Sequence, residues 1–433
     1  MQKKTVTLIT LGCSKNLVDS EKLLHQFDAL GYNVLHDVEP PKGSIVIINT
    51  CGFIGDAKEE SVNTILEYSV ARKKGHIKKL YVMGCLSQRY LNELTEEIPE
   101  VDHFYGKFNW NEILNDIGET WQSDFNFDRH LTTPSHYAYL KISEGCSRTC
   151  SYCAIPIITG KHHSRGKEDI LDEVRLLVSK GVREFQLIAQ DLSYYGKDRY
   201  KKLMLPELVE EISMIPGVDW LRLHYTYPYE FPYDLLRVMR ERPNVCSYLD
   251  MALQHISDNM LQKMRRKITK AETYELLKRI RKEVPGIHLR TTFMVGHPGE
   301  TEQDFNELCE FVKEMRFERM GAFTYSEEEG TYAARHYKDE IPDDVKKVRL
   351  DKLMLLQQTV SEKINANKIG KIFKVIIDRE EQDYFVGRTE FDSPEVDPEV
   401  FVQKELGIEP GQFYQIKITS AGPYDISGHM EKN

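Results

Sequence analysis

Short apolar runs alternate along the chain with stretches in which apolar residues recur every three or four positions, as they do in parallel α/β folds. TVTLIT (5–10), SIVIIN (44–49) and KLYVMG (79–84) predict buried strands. Between them, residues 19–30 place Leu23, Leu24, Phe27 and Leu30 on one helical face ahead of Gly31, and residues 56–74 do the same with Val62, Ile65, Leu66 and Val70 ahead of Gly75. Residues 121–135 have no period and predict a domain boundary. The alternation then resumes six times, in YAYLKI (137–142), FQLIAQ (185–190), WLRLHY (220–225), YLDMAL (248–253), HLRTTFMV (288–295) and MGAFTY (320–325). Helices are expected between them, for example over 169–180 and over 301–317, the latter capped by Thr301. Six βα units predict a partial barrel rather than a closed eightfold one. A long polar helix over 343–368 follows, and KIFKVIID (371–378), YFVGRT (384–389), EVFV (399–402) and FYQIKIT (413–419) predict a small closed or nearly closed β-barrel. The expected units are 1–120, 133–363 and 366–433.

Length agrees with this division, since 433 residues exceed what one core organises. At 41% hydrophobic and 29% charged, the chain reads as globular rather than disordered. It holds no apolar run long enough to span a bilayer, and its start turns polar too soon for a secretory signal, so a cytoplasmic protein is expected. The net charge of -10 argues against a long basic groove for nucleic acid. The basic runs Arg72-Lys73-Lys74 and KMRRK (263–267) read as exposed helix faces.

The eight cysteines carry more information, because thiols in a reducing compartment point to metal or catalysis before disulfides. Cys146, Cys150 and Cys153 form a C-x3-C-x2-C triplet just after a predicted strand, close enough for three thiolates to converge from one loop. The residues alone leave open a zinc site completed by His162 or His163. With Tyr152 before the last cysteine, the triplet resembles the cluster motif of radical S-adenosylmethionine enzymes. The resemblance implies a partial barrel and a 4Fe-4S cluster on the three cysteines, with one open iron that binds S-adenosylmethionine near Tyr152. It also implies that one electron splits the cofactor to a radical that takes hydrogen from an unactivated carbon. FMVGHPGET (293–301) resembles a cofactor-side strand and turn of the same superfamily, although Gly296 and Gly299 read by themselves as turn residues. Gln190 and Asp191 end a predicted barrel strand, where active-site groups sit, but Asp191 reads equally well as a helix cap.

Cys13, Cys51 and Cys85 are far apart in sequence, yet each follows a predicted strand end and has a glycine neighbour, Gly12, Gly52 or Gly84. Parallel strands deliver their carboxyl ends to one sheet edge, so three such thiols can meet, and glycine would let the backbone approach an inorganic group. The pattern resembles the amino-terminal domain of methylthiotransferases, which carry a second 4Fe-4S cluster on three such cysteines, and the terminal barrel resembles a TRAM domain. The resemblance implies insertion of a methylthio group at a C–H bond. One S-adenosylmethionine would give the methyl and another the radical, with an electron donor and a sulfur donor as partners. Cys246 and Cys309 match nothing in it and are expected to pack or lie on the surface.

Two branches of that family differ in substrate. LGCSKNLVDSE (11–21), INTCGFI (48–54), KISEGCSRTCSYCAIP (141–156) and TEFDSPEVDPEVFV (389–402) resemble the branch that modifies the β-carbon of an aspartate in ribosomal protein twelve of the small subunit. The tRNA adenosine branch typically shows GCQMN and NTCSVR-like strings. Charge points the same way, since residues 364–433 hold eight Lys or Arg and thirteen Asp or Glu, a poor match to phosphate and a good one to a basic protein. The rival from another class is a zinc-dependent RNA-binding module without catalysis.

Overall fold

The computed structural model describes residues 4–38, 43–122 and 127–431. Part of the predicted boundary, residues 123–126, lies outside them. The amino-terminal layer comprises β1 (Thr5–Thr10), α1 (Ser14–Ala29), β2 (Asn33–His36), β3 (Ile45–Thr50), α2 (Gly55–Lys73), β4 (Lys79–Gly84), α3 (Cys85–Arg89), α4 (Leu91–Glu97), β5 (His103–Phe104) and α5 (Glu112–Asp116). Its strands pair in parallel in the order β2-β1-β3-β4-β5. The central strand β3 is buried at every position, as a strand covered on both faces must be. Val6, Leu8 and Ile47 pack with Leu23, Leu24 and Phe27 of α1, whereas Val46, Ile48 and Val82 pack with Ile65 of α2. Helix α1 starts at Ser14, five residues before the predicted start, because its first turns bury Lys15, Asn16, Asp19, Ser20 and Glu21, polar residues that hydrophobic period does not mark.

The second unit runs through β6 (Tyr137–Lys141), β7 (Ser143–Glu144), α6 (Ile155–Thr159), β8 (His163–Ser164), α7 (Lys167–Ser179), β9 (Glu184–Ile188), α8 (Leu205–Ser213), β10 (Trp220–Thr226), α9 (Asp234–Glu241), β11 (Val245–Met251), α10 (Asp258–Lys263), α11 (Lys270–Glu283), β12 (His288–Val295), α12 (Glu302–Met315) and β13 (Arg319–Thr324). Six parallel strands lie in the order β13-β12-β11-β10-β9-β6, an arc that does not close. Thr301 caps α12 as expected, its hydroxyl accepting the Asp304 N–H at 3.2 Å. The outward residues Leu140, Phe185, Leu187, Leu221, Leu223 and Leu249 join the helices in one apolar core. The alternate residues Glu184, Gln186, Arg222, His224 and Asp250 are also buried but charged or polar.

After α13 (Tyr332–His336) and α14 (Asp343–Ala366), β14 (Ile372–Glu380), β15 (Tyr384–Thr389), β16 (Val400–Gln403), β17 (Phe413–Ala421) and β18 (Ile426–Met430) close into a barrel in the order β14-β15-β16-β18-β17. This small barrel abuts the amino ends of the large barrel's strands. Arg388 bridges Glu184, at 2.8 and 3.0 Å, and Asp378, at 2.6 and 2.8 Å. Arg319 pairs with Asp392, and Tyr248 and Arg290 both donate to Asp397. Tyr137 and Tyr139 donate to Glu395, and the Ser247 N–H donates to Glu390.

This contact corrects the charge argument. Asp378, Glu390, Asp392, Glu395 and Asp397 serve the join to the large barrel, so much of the terminal unit's negative charge is not a free face for a basic partner. Among the described residues no helix is long and apolar enough to cross a membrane.

Candidate active site

Strands β1, β3 and β4 are adjacent and parallel, so Cys13, Cys51 and Cys85 leave the same edge of the sheet. The loops are in contact. A Cβ on Gly12, whose φ is +90°, would lie 2.6 Å from Cys51 Cβ, and one on Gly52 would lie 2.7 Å from the Leu86 backbone. These glycines let one strand-end loop press on the next. Asn16 ties the loops together: its Nδ2 donates to Leu11 O and Thr50 O, both at 3.0 Å, and its Oδ1 faces Lys107 Nζ at 3.3 Å and Cys85 Sγ at 3.7 Å. Asp19, one turn along, pairs with Lys107 at 3.1 Å and with Lys141 of β6. Burial opposes its charge, but the two lysines outweigh that and lower its carboxyl to about 2.

The three thiols differ. Burial raises Cys13, but Lys15, Lys107 and backbone N–H groups of Asn16 and Lys15 outweigh it and leave the thiol lowered. Burial raises Cys51 and pushes Cys85 up to about 12. Cys51 and Cys85 give up their protons only to a strongly electrophilic partner, which is how metal binding couples to thiol ionisation.

The central triplet occupies the loop between β7 and α6. The Cys146 N–H donates to Gly160 O at 3.1 Å, and its Sγ accepts the Arg148 N–H at 3.4 Å. Cys150 Sγ accepts from Arg266 Nη1 at 3.3 Å and lies 3.4 Å from Tyr227 Oη. The Cys153 N–H donates to Cys150 O at 3.3 Å. Burial pushes Cys146 up to about 12, and burial with the charges of Cys150 and Cys146 raises Cys153. Tyr152 is half-buried beside Met260, Met264 and Met294, with its Oη 3.2 Å from Arg266 Nη1. Arg148 is held by Asp191 at 2.7 Å over the ring of Tyr227.

Arg266 overturns the reading of KMRRK as an exposed face, because it is buried and turned onto the triplet. Asp191 does cap the next turn, accepting the Ser193 N–H at 2.9 Å, while its other oxygen holds Arg148. Gly296 and Gly299 are turn residues with φ of +76° and +83°. Between them, the His297 Nε2 lies 3.2 Å from Ser151 Oγ, and burial lowers that imidazole to about 4, keeping it neutral. Cys246 and Cys309 are buried in packing. Sequence reasoning missed Asn16, Lys107, Arg266 and His297. Asn16, Arg266 and His297 stood in strings already singled out, but no period marks a polar side chain that turns inward.

The two sets flank one boundary, since α3, which Cys85 begins, packs on α6, which follows Cys153. Among the described residues no three His, Cys, Asp or Glu side chains are gathered tightly enough to hold a single ion. A zinc ion with Zn–S bonds of about 2.3 Å needs a tight tetrahedron and a fourth donor. His162 instead faces Ser164 at 3.1 Å and Asp198, and His163 is 81% exposed. Soft thiolate donors suit an iron-sulfur cluster.

Family models match residues 140–312 as the radical SAM superfamily, 5–106 as the uncharacterized protein family UPF0004 and 369–430 as a TRAM domain. The chain is 65% identical over 427 residues to a ribosomal protein uS12 methylthiotransferase RimO of Phocaeicola vulgatus, covering 98% of this chain and 99% of that one. The chain belongs to the RimO family. The RimO of Parabacteroides distasonis is 64% identical over 99% of this chain and all of that protein, and that of Porphyromonas gingivalis 61% over 98% and 99%. Among solved structures, the radical S-adenosylmethionine methyltransferase TsrM of Kitasatospora setae, described with cobalamin and a [4Fe-4S] cluster, shares the fold at a TM-score of 0.54 with 14% identity, covering 77% of each chain. As a RimO-family member the chain is a radical S-adenosylmethionine enzyme with a terminal TRAM domain.

Proposed function

We propose that the chain attaches a methylthio group to the β-carbon of an aspartate in ribosomal protein uS12, at the boundary between its two cysteine sets. The observation that carries this reading is the abutment of two three-cysteine edges through α3 and α6, each edge fed by carboxyl ends of parallel strands, in a chain of the RimO family. Cys146, Cys150 and Cys153 would hold one 4Fe-4S cluster, with S-adenosylmethionine beside Tyr152, and Cys13, Cys51 and Cys85 a second. When bound, these groups supply one-electron chemistry at an unactivated C–H bond, a methyl group and a site for sulfur.

The protein's part is binding, orientation and charge. Arg266 donates to Cys150 Sγ and so offsets the negative charge that ionised thiols bring into a buried site. The Asp191–Arg148 pair fixes the loop that carries Cys146. Neutral His297 holds Ser151 between Cys150 and Tyr152 without adding charge. Lys107 and Lys15 ease ionisation of Cys13. A sulfur donor and an electron donor complete the system, and the functional units are taken as 1–120, 133–363 and 366–433.

Mass spectrometry of uS12 from cells with and without the chain tests the substrate. The reading expects a methylthio mass on one aspartate that disappears with the chain; its loss from tRNA, with uS12 unchanged, refutes it. Iron and sulfide analysis of anaerobically prepared protein tests the cofactors. About eight irons per chain are expected, falling to about four when Cys13, Cys51 and Cys85 are replaced together by Ala.

A further inference from the structure

The segment that joins β13 to α13 grips both cysteine sets. Glu328 is 3% exposed, and its Oε2 accepts from Arg89 at 2.7 Å and from Lys58 at 2.8 Å. Arg89 ends α3, the helix that Cys85 begins, and Lys58 lies near the start of α2, which follows the Cys51 loop. Arg89 also donates to Glu329 O at 2.8 Å and to Gly52 O, beside Cys51, at 3.2 Å. A few residues on, the Ala333 N–H donates at 2.7 Å to Ser151 O, between Cys150 and Cys153. Thr331 ties the two grips into one unit: its hydroxyl donates to Glu328 O at 2.7 Å and accepts the Ala334 N–H at 3.3 Å.

The chemistry of the first grip suits positioning better than stability. The Arg89 and Glu328 side chains are each 4% exposed, so both charges have left water. Desolvation offsets most of their attraction, and apolar side chains of similar volume would hold the two units as firmly. What a buried ion pair adds is direction. Its donors and acceptor meet in one register, whereas an apolar contact tolerates sliding.

We propose that the segment from Glu328 to Ala333 is a spacer that fixes the separation of the two cysteine sets, with Glu328 as its positioning residue. This rests on the two-cluster reading and deepens it. Reaction across the boundary depends steeply on placement, since a shift of about 1 Å can cost about a hundredfold in rate.

The test compares full-length, iron-loaded wild type with Glu328→Gln and Lys58→Glu. Glu328→Gln keeps the shape of the side chain and removes its charge. Lys58→Glu, on a side chain 23% exposed, sets like charge against Glu328 from the rim and decides the matter if Glu328→Gln does not fold. Electron paramagnetic resonance of the reduced proteins reads the magnetic coupling between two clusters, and deoxyadenosine and methylthio-uS12 are measured alongside. Wild type should show the coupling. Both variants should keep their iron and weaken it, and Glu328→Asp should retain part of it. Splitting S-adenosylmethionine needs only the central triplet, whereas product needs both sets, so deoxyadenosine formed per product should rise at least about tenfold. Unchanged coupling and an unchanged ratio in the folded variants overturn the inference, even where the thermal midpoint falls. So does loss of iron, because Glu328 would then build the first site rather than space it. If wild type shows coupling that the variants leave unmoved, only this inference falls. If wild type shows no coupling, or holds only about four irons, the two-cluster reading falls and takes this inference with it.

Discussion

Replacing Arg388 by methionine removes the most heavily bonded of the residues that join the terminal barrel to the large one, and the structure sets the expected cost. Breaking a buried ion pair by removing one partner costs about 3–5 kcal/mol, because the other charge stays buried. Arg388 faces two carboxylates, but neither is left alone. Glu184 keeps Arg222 at 3.0 Å and Asp378 keeps His136 at 2.8 Å. The loss therefore falls at the lower end, about 3 kcal/mol. Trp220 reports on this join, since its ring meets that of Phe413 edge-on at 4.8 Å. With Trp110 and Trp121 replaced by phenylalanine, Trp220 fluorescence follows release of the terminal barrel in urea. At a slope of about 2 kcal/mol/M, Arg388→Met should lower the Trp220 midpoint by about 1.5 M. The matched control is Arg379→Ala on the neighbouring strand β14, whose pair with Glu399 is about half-exposed and should cost under about 1 kcal/mol. Equal midpoints for wild type and Arg388→Met would refute the view that this buried hub holds the two barrels together.

Gly12→Ala should destabilise the amino-terminal unit and lower iron content by about half, since its Cβ would sit 2.6 Å from that of Cys51 at a φ of +90°; iron analysis with thermal melting checks both. Asn16→Ala leaves Leu11 O, Thr50 O and Lys107 short of a partner and should cost about 1–3 kcal/mol per group left unpaired, measured by urea unfolding. The Asp378 carboxyl is held down to about 2, chiefly by Arg388 against the upward pull of burial. A depressed carboxyl stabilises the fold above its unfolded value, near 3.9, and that contribution drains away as pH falls toward about 2. The thermal midpoint should therefore drop between pH 5 and pH 3, and drop less in Asp378→Asn; parallel curves would contradict the assignment.

What could be read from the sequence was whatever apolar period marks. The strands that lead to Cys13, Cys51 and Cys85, the six strands of the open arc and the cap at Thr301 all announce themselves, because each is an apolar run or a helix start with local cause. The edge strands β2 and β5 and the last strand β18 escape, being short or half-exposed. The inner face of the large barrel escapes for another reason. Glu184, Arg222 and Asp250 alternate with leucines as solvent-facing residues would, yet they are buried against partners far away in sequence. The same blindness hid Arg266 in a basic run and gave the terminal acids an outward role, when five of them face the large barrel.

The acids along the join also bear on how freely nature or an engineer can exchange parts. A terminal barrel taken from a nucleic-acid binder would bring lysines and arginines to a socket already lined with Arg222, Arg290 and Arg319. At Arg290 and Arg319 it would set like charge against like where acids now pair. The fold is modular in outline, but the seam is keyed by charge, and any graft that is to seat must carry Asp378, Asp392 and Asp397 with it.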